Sequence, residues 1–235
     1  MMKSEVIILA GGLGTRLHHI LHGIPKPMAP VNNLPFLQYL LQYLQKFEPP
    51  RIILSVGYEY QQITNYFGNQ FSGIELVYSI EDTPLGTGGA IKKSLEISNT
   101  NNALIINGDT FFDIDLAQME KQHLSTKKEV TIAVREMQNF DRYGTLKIEN
   151  DRITEFIEKK EVDKGFINAG IYAIDRKAFL SCNWPEKFSF ENDFFEKYSN
   201  QFFFSPFFSD GYFIDIGIPD DYHKVQDDFK KLFRS

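Results

Sequence analysis

A chain of 235 residues with 43% hydrophobic and 24% charged residues has the make-up of a folded globular protein that can bury a sizeable core. Its formal net charge of −6 leaves no basic excess to neutralise a nucleic-acid backbone, which argues against a nucleic-acid partner but not against a small anionic substrate. The single cysteine, Cys182, forbids an internal disulfide and a cysteine-rich zinc site, and it fits a reducing compartment. No apolar run nears the roughly 20 residues of a membrane span. The first apolar stretch runs straight into a glycine-rich loop that a cleaved leader would remove. These features predict a cytoplasmic protein without a membrane partner. They do not set the oligomeric state, and a homo-oligomer stays open.

Residues 6–9 (VIIL) are apolar and β-branched and too few for a helix, so they read as a buried strand. Ala10, Gly11, Gly12 and Gly14 follow, a turn whose backbone N–H groups can approach a phosphate closely. Arg16 adds a permanent charge with a fork of donors, and Lys26 stands between Pro25 and Pro27 on a stiffened segment. A dinucleotide fingerprint starting at Gly12 would need glycine where Leu17 stands, and no Gly-Lys-Ser/Thr ending follows for a Walker loop.

Residues 36–47 carry apolar side chains at helical spacing, and Pro49-Pro50 stops them. Strands are expected at 51–56 and 74–79, with a helix at 61–67 between them. A second glycine-rich loop, Pro84-Leu85-Gly86-Thr87-Gly88-Gly89-Ala90, opens a helix running through Ile97. A buried strand at 103–106 ends in Asn107-Gly108-Asp109, and Asp115 is placed to cap the helix at 116–124. Alternating strands and helices at this pitch predict a parallel α/β sheet with its ligand loops at the carboxyl edge. Further on, strands at 130–134, 144–148, 153–157, 170–174 and 213–216 suggest a more antiparallel region, with helices at 191–198 and 220–232. The phenylalanines around 202–208 read as core or interface rather than a ligand box.

Gly11-Gly12-Leu13-Gly14-Thr15-Arg16-Leu17 with Pro25-Lys26-Pro27-Met28 resembles the signature of the sugar-1-phosphate nucleotidyltransferases. Those enzymes join a nucleoside triphosphate to a sugar phosphate and release pyrophosphate. The resemblance covers nearly the whole chain as one catalytic domain, 1–235, with a nucleotide-binding half over about 1–115 and a sugar-phosphate half over about 116–235. It implies a Rossmann-like α/β fold whose mixed, mainly parallel sheet is flanked by helices, the nucleotide-diphospho-sugar transferase type. No hexapeptide-repeat tail of the kind some relatives carry is seen.

The chemistry brings two mutually repelling anions into line, so the site must position and neutralise them, with cations and usually Mg²⁺. The resemblance implies that Arg16, Lys26 and Asp109 are catalytic. It also implies that Leu9, Gly11, Gly12, Gly14, Thr15, Arg16, Gly86 and Thr87 hold the nucleotide. Read without the resemblance, Asp109 is a turn residue and the Gly86 loop a tight helix opening. Asp215 sits within an apolar strand, where a charge is costly unless paired or bound to metal. The resemblance makes Asp109 and Asp215 the Mg²⁺ pair and leaves Asp113 and Asp115 to turn and cap roles. Glu158-Lys159 and Asn168-Ala169-Gly170-Ile171-Tyr172 match the family's sugar-phosphate elements. Glu158, Lys159 and Asn168 would then hold the acceptor, with Gly144 pressed against the sugar. Alone, residues 158–161 would read as an exposed charge run. His18, His19 and His22 lack the glutamate of a zinc-protease motif and read as loop residues near the triphosphate.

Within the family, the Pro25–Asn32, Pro84–Ala90 and Asn107–Asp113 segments look most like the D-glycero-α-D-manno-heptose 1-phosphate guanylyltransferases. That likeness favours GTP and a heptose 1-phosphate as substrates and direct displacement without an enzyme-bound intermediate. A uridylyl-, thymidylyl- or cytidylyltransferase for a hexose or amino-sugar 1-phosphate is the alternative. A non-catalytic nucleotide-sugar sensor is another, disfavoured because the cations and aspartates are all present.

Overall fold

The computed structural model describes residues 1–12, 17–21, 23–157, 161–198 and 201–233; the side chains of residues 18, 19, 196 and 197 lie outside this set. In chain order it holds β1 (Glu5–Leu9), α1 (His18–Leu21), a 3₁₀ turn (Lys26–Met28) and the small hairpin β2 (Pro30–Val31) and β3 (Leu34–Pro35). Then come α2 (Phe36–Gln45), β4 (Ile52–Val56), α3 (Tyr60–Phe67), β5 (Gln70–Phe71), β6 (Ile74–Ile80), α4 (Gly86–Glu96), β7 (Asn102–Asn107), β8 (Thr110–Phe112) and α5 (Leu116–Thr126). The second half runs β9 (Val130–Phe140), β10 (Thr145–Glu149), β11 (Arg152–Ile157), β12 (Val162–Asp175), α6 (Arg176–Leu180) and a π-helical turn (Phe190–Phe194). It closes with α7 (Phe195–Tyr198), β13 (Phe204–Phe208), β14 (Phe213–Asp215) and α8 (Pro219–Leu232).

Ten of the described strands form one sheet with the path β11-β10-β12-β7-β1-β4-β6-β5, and β9 joins β12 to β13. The run β7-β1-β4-β6 is parallel, so four strand ends face one edge and present the loops after Leu9, Val56, Ile80 and Asn107 together. β12 lies antiparallel to β7 and brings the second half of the chain back toward that same edge. Both faces are covered. Val6 and Ile8 of β1 enter one core with Phe36, Leu40 and Phe229 from α2 and α8, and Ile7 enters the other with Ile91, Phe179 and Phe194. Strands buried on both faces explain why their sequences read as unbroken apolar runs rather than alternations.

The phenylalanine-rich segment is core. Phe190, Phe194, Phe195 and Phe204 are all but fully buried and meet edge-on or tilted, while Phe208 is half exposed. Asp115 caps α5 as expected, accepting the Gln118 N–H at 2.9 Å.

On α5, His123 is buried between β7 and β9, with Nε2 3.1 Å from Asn102 Oδ1 and Nδ1 2.9 Å from Thr131 Oγ1. Asn102 Oδ1 can only accept, so Nε2 carries the proton and Nδ1 receives the Thr131 hydroxyl. Burial pushes the imidazole pKa down from 6.5 to about 4. The unfolded chain takes up this proton near the ordinary imidazole value of 6.5 and the folded chain only near 4. The stability that neutral His123 contributes is therefore complete above the upper value and lost as pH falls through the window to the lower. Urea unfolding across this window should show a decline of about 3 kcal/mol from this site, and His123→Gln should flatten it.

Candidate active site

Three separate elements deliver charge to one point at the carboxyl edge. Pro25, at φ −60° and ψ 142°, leads into the 3₁₀ turn that carries Lys26, whose side chain is almost wholly buried. Lys26 Nζ donates to Asp109 Oδ2 at 2.7 Å and lies 3.7 Å from Asp215 Oδ1. Asp109 lies two residues past the end of β7, and Asp215 ends β14, where it pairs with Thr110 of β8. The Ile216 N–H donates to the Asp109 carbonyl at 3.0 Å, so the two aspartates are locked backbone to backbone. Gly217 N–H donates to Asp215 Oδ1 at 2.7 Å, and a Cβ at Gly217 would crowd both that oxygen and Lys26 Nζ.

Burial and the neighbouring Asp109 charge raise the Asp215 pKa, with Lys26, the Gly217 N–H and Arg142 pulling the other way. Arg142 reaches the cluster from the loop before β10. It donates through Nη1 to Asp221 Oδ2 at 2.5 Å and sits 4.0 Å from Asp215 Oδ2. Two neighbouring carboxylates beside open space, one of them with a raised proton affinity, suit a hard divalent cation. Among the described residues no group of three or more His, Cys, Asp or Glu side chains converges. A cation here would complete its shell with water and substrate phosphates, which is how Mg²⁺ is usually held.

Beside this cluster opens a cleft of about 550 Å³, lined by Leu9, Gly11, Gly12, Gly57, Tyr58, Glu81, Asp82, Gly86, Thr87, Asn107 and Asp109. These residues follow the ends of the parallel strands, the edge where open α/β sheets bind ligands. Gly11 runs close to β4 and β6, since a Cβ there would lie 2.9 Å from Glu81 Oε1 and 3.3 Å from Gly57 N. Glu81 is fixed by Ser55 Oγ at 3.2 Å and the Leu85 N–H at 3.0 Å. The buried Asn107 Oδ1 has no partner among the described residues.

The sequence-predicted residues fall into three groups. Leu9, Gly11, Gly12, Gly86, Thr87 and Asp109 line the cleft, with Lys26 and Asp215 at its edge. Asn168 comes from a bulge in β12, where the pairing with β9 shifts between Asn168 and Tyr172 and Gly170 takes φ +75°. That bulge turns the strand locally and brings Gly170 against Asn107. Gly144 packs against the Ile157 carbonyl at the end of β11. Gly14, Thr15, Arg16, Glu158, Lys159 and His22 lie outside the described residues, as do the side chains of His18 and His19.

The second glycine loop has a further duty that its sequence did not disclose. Segment 186–190 lies on it: Gly88 N–H donates to the Phe188 carbonyl at 3.0 Å, and Phe188 N–H donates to the Leu85 carbonyl at 3.0 Å. A Cβ at Gly86 would meet Phe188 O at 2.5 Å, and one at Gly88 would enter the Phe188 ring. Thr87 lines the cleft, but its hydroxyl is engaged within the protein by Glu191 and the Phe190 N–H. Glu81, Asp82 and Tyr58 were passed over in the sequence. Their position just past strands 74–79 and 51–56 was the available signal.

Residues 5–231 match the family described as Nucleotidyl transferase, and the chain belongs to that family. It is 50% identical over 222 residues to the D-glycero-α-D-manno-heptose 1-phosphate guanylyltransferase of Aneurinibacillus thermoaerophilus, covering 94% of this chain and 96% of that protein. It is 46% identical over 220 residues to the protein of the same name from Campylobacter jejuni, covering 93% and 97%. The crystal structure of HddC from Yersinia pseudotuberculosis, described also as complexed with GMP-PN, superposes with a TM-score of 0.87 at 37% identity, over 97% of this chain and all of that one.

If the loop glycines are required by packing, Gly88→Ala should cost about 1–3 kcal/mol, read as a lowered urea midpoint. Gly12→Ala, where an added Cβ meets open space, should leave the midpoint unchanged.

Proposed function

We propose that this chain transfers the guanylyl group of GTP to D-glycero-α-D-manno-heptose 1-phosphate, giving GDP-heptose and pyrophosphate. The observation that carries the reading is the Lys26 ammonium held between Asp109 and Asp215 at the mouth of a glycine-walled cleft. The two heptose 1-phosphate guanylyltransferases matched over nearly their full lengths support the same substrates.

The acceptor phosphate is ionised at neutral pH, so it can attack the α-phosphorus directly and needs no protein nucleophile. Lys26 has three donors and commits one to a short bond with Asp109, leaving others for phosphate oxygens of either substrate. Asp109 and Asp215 are the residues that would hold Mg²⁺, which when bound withdraws charge from the phosphoryl oxygens. Arg16 faces the departing pyrophosphate in this scheme, while Lys159, Glu158 and Asn168 hold the sugar phosphate beside Gly144. Gly11, Gly12, Gly14 and Thr15 wrap the nucleotide with backbone. This scheme places the enzyme in the cytoplasm, where nucleoside triphosphates and sugar phosphates are dissolved; among the described residues no helix is long and apolar enough to cross a membrane.

Support for guanine comes from the carboxylates in the cleft. Guanine presents N1–H and N2–H₂ side by side, two donors that a carboxylate accepts together. Uracil and thymine present one donor between two carbonyls, which a carboxylate repels. Glu81 and Asp82 supply such carboxylates, and Glu81 is already oriented by Ser55 and Leu85.

A pyrophosphate-release screen of GTP, UTP, dTTP and CTP against a panel of sugar 1-phosphates should give the highest kcat/KM for GTP with the heptose. A preference for another base or a hexose contradicts the assignment. Glu81→Gln should reduce kcat/KM for GTP about 10- to 100-fold, because a charged acceptor is lost. Lys26→Ala and Asp109→Ala should each lower kcat by roughly 10²–10³-fold, the usual effect of removing one transition-state charge partner. Near-normal turnover in both variants would remove them from the chemistry.

A further inference from the structure

Glu191 belongs to no motif in the sequence, yet it stands where the two halves of the site meet. It lies in the π-helical turn that packs on the first turn of α4. Its Oε2 accepts from Thr87 Oγ1 at 2.5 Å and from Ser189 Oγ at 3.2 Å. Its Oε1 accepts from the Tyr172 hydroxyl at 3.5 Å. That hydroxyl in turn accepts from Asn168 Nδ2 at 2.8 Å, and Asn168 Oδ1 accepts the Gly170 N–H at 3.0 Å. An unbroken chain of bonds therefore runs from the wall of the nucleotide cleft to the bulge in β12.

Tyr172 is fully buried and packs edge-on against Phe190 with ring centroids 4.8 Å apart. A phenylalanine would fill that space without placing a hydroxyl in the core, where it is tolerated only because it is hydrogen-bonded. What the hydroxyl adds is orientation. With Oδ1 on Gly170 and one N–H on Tyr172, the Asn168 amide cannot turn over, and its second N–H has a fixed direction. At the other end, Thr87 bonds both Glu191 and the Phe190 N–H, which fixes the start of α4 under the cleft.

We infer that Glu191 and Tyr172 are a positioning pair that orients Asn168 for the acceptor and Thr87 for the nucleotide, tying the two substrate subsites together. This rests on the roles given to Asn168 and Thr87 in the function proposed above.

The test is steady-state kinetics with both substrates varied, alongside thermal unfolding. Tyr172→Phe should raise KM for the sugar 1-phosphate about five- to tenfold, the effect of one lost hydrogen bond, and leave KM for GTP within about twofold. Glu191→Ala should raise both KM values by about that factor. Glu191→Gln, which keeps one acceptor oxygen, should return KM for GTP to within about twofold of wild type. Variants that shift only the unfolding midpoint, or a Tyr172→Phe that alters KM for GTP alone, overturn the pair. Should Glu191→Ala fail to fold, Tyr172→Phe decides the matter by the same readings. An active wild type with insensitive variants refutes the pair and spares the function, whereas a wild type that forms no nucleotide sugar refutes both.

Discussion

The site depends on one ammonium group compensating two carboxylates. Asp109 and Asp215 are drawn together by the β8–β14 ribbon and by the bond from Ile216 N–H to the Asp109 carbonyl. Left alone they would repel, and burial together with the neighbouring Asp109 charge raises the proton affinity of Asp215. Lys26 makes the arrangement tolerable, and it does so from a segment whose prolines restrict where its side chain can go. The same charge balance is what two phosphate-bearing substrates require. A site poised between excess negative and excess positive charge can accept anions and a divalent cation without reorganising its backbone.

The sheet supplies the precision. Four parallel strands end at one level, so the turns after them form a shared wall without long loops. β12, running the other way, brings Gly170 against Asn107 on that wall through the bulge that carries Asn168. The glycines divide between two tasks. Gly12 has open space around it and is free to face a ligand, whereas Gly86 and Gly88 are needed so that segment 186–190 can lie against α4. A glycine-rich loop is thus as much a packing device here as a binding device, and the hydroxyl of Thr87 is spent inside the protein rather than on a ligand.

Much of this was legible in the sequence. The expected strands at 6–9, 51–56, 74–79 and 103–106 each lie within or within a residue of an observed strand, because strands buried on both faces are written as short apolar runs between turn residues. Asp109 and Asp215 could be paired only through the family resemblance, since no local pattern tells that β14 returns to β8. β12 was expected at 170–174 and runs over Val162–Asp175, because the bulge at Asn168–Tyr172 breaks the alternation that would have revealed its first half. Pro206 hides β13, since proline argues against a strand; it is tolerated because among the described strands β13 pairs only with β9. α6, with five residues, is too short to show helical periodicity. Glu81, Tyr172 and Glu191 carry no motif, and the roles proposed for them rest on contacts with Ser55, with each other and with Thr87, far apart in the chain.

The most direct measurement of the central claim is a crystal structure of the protein with a non-hydrolysable GTP analogue, the heptose 1-phosphate and Mn²⁺ in place of Mg²⁺. The account predicts anomalous density for the metal between the carboxylates of Asp109 and Asp215, with the α-phosphate and the acceptor phosphate both within reach of Lys26. Metal bound elsewhere, or phosphates gathered away from these three side chains, would contradict it.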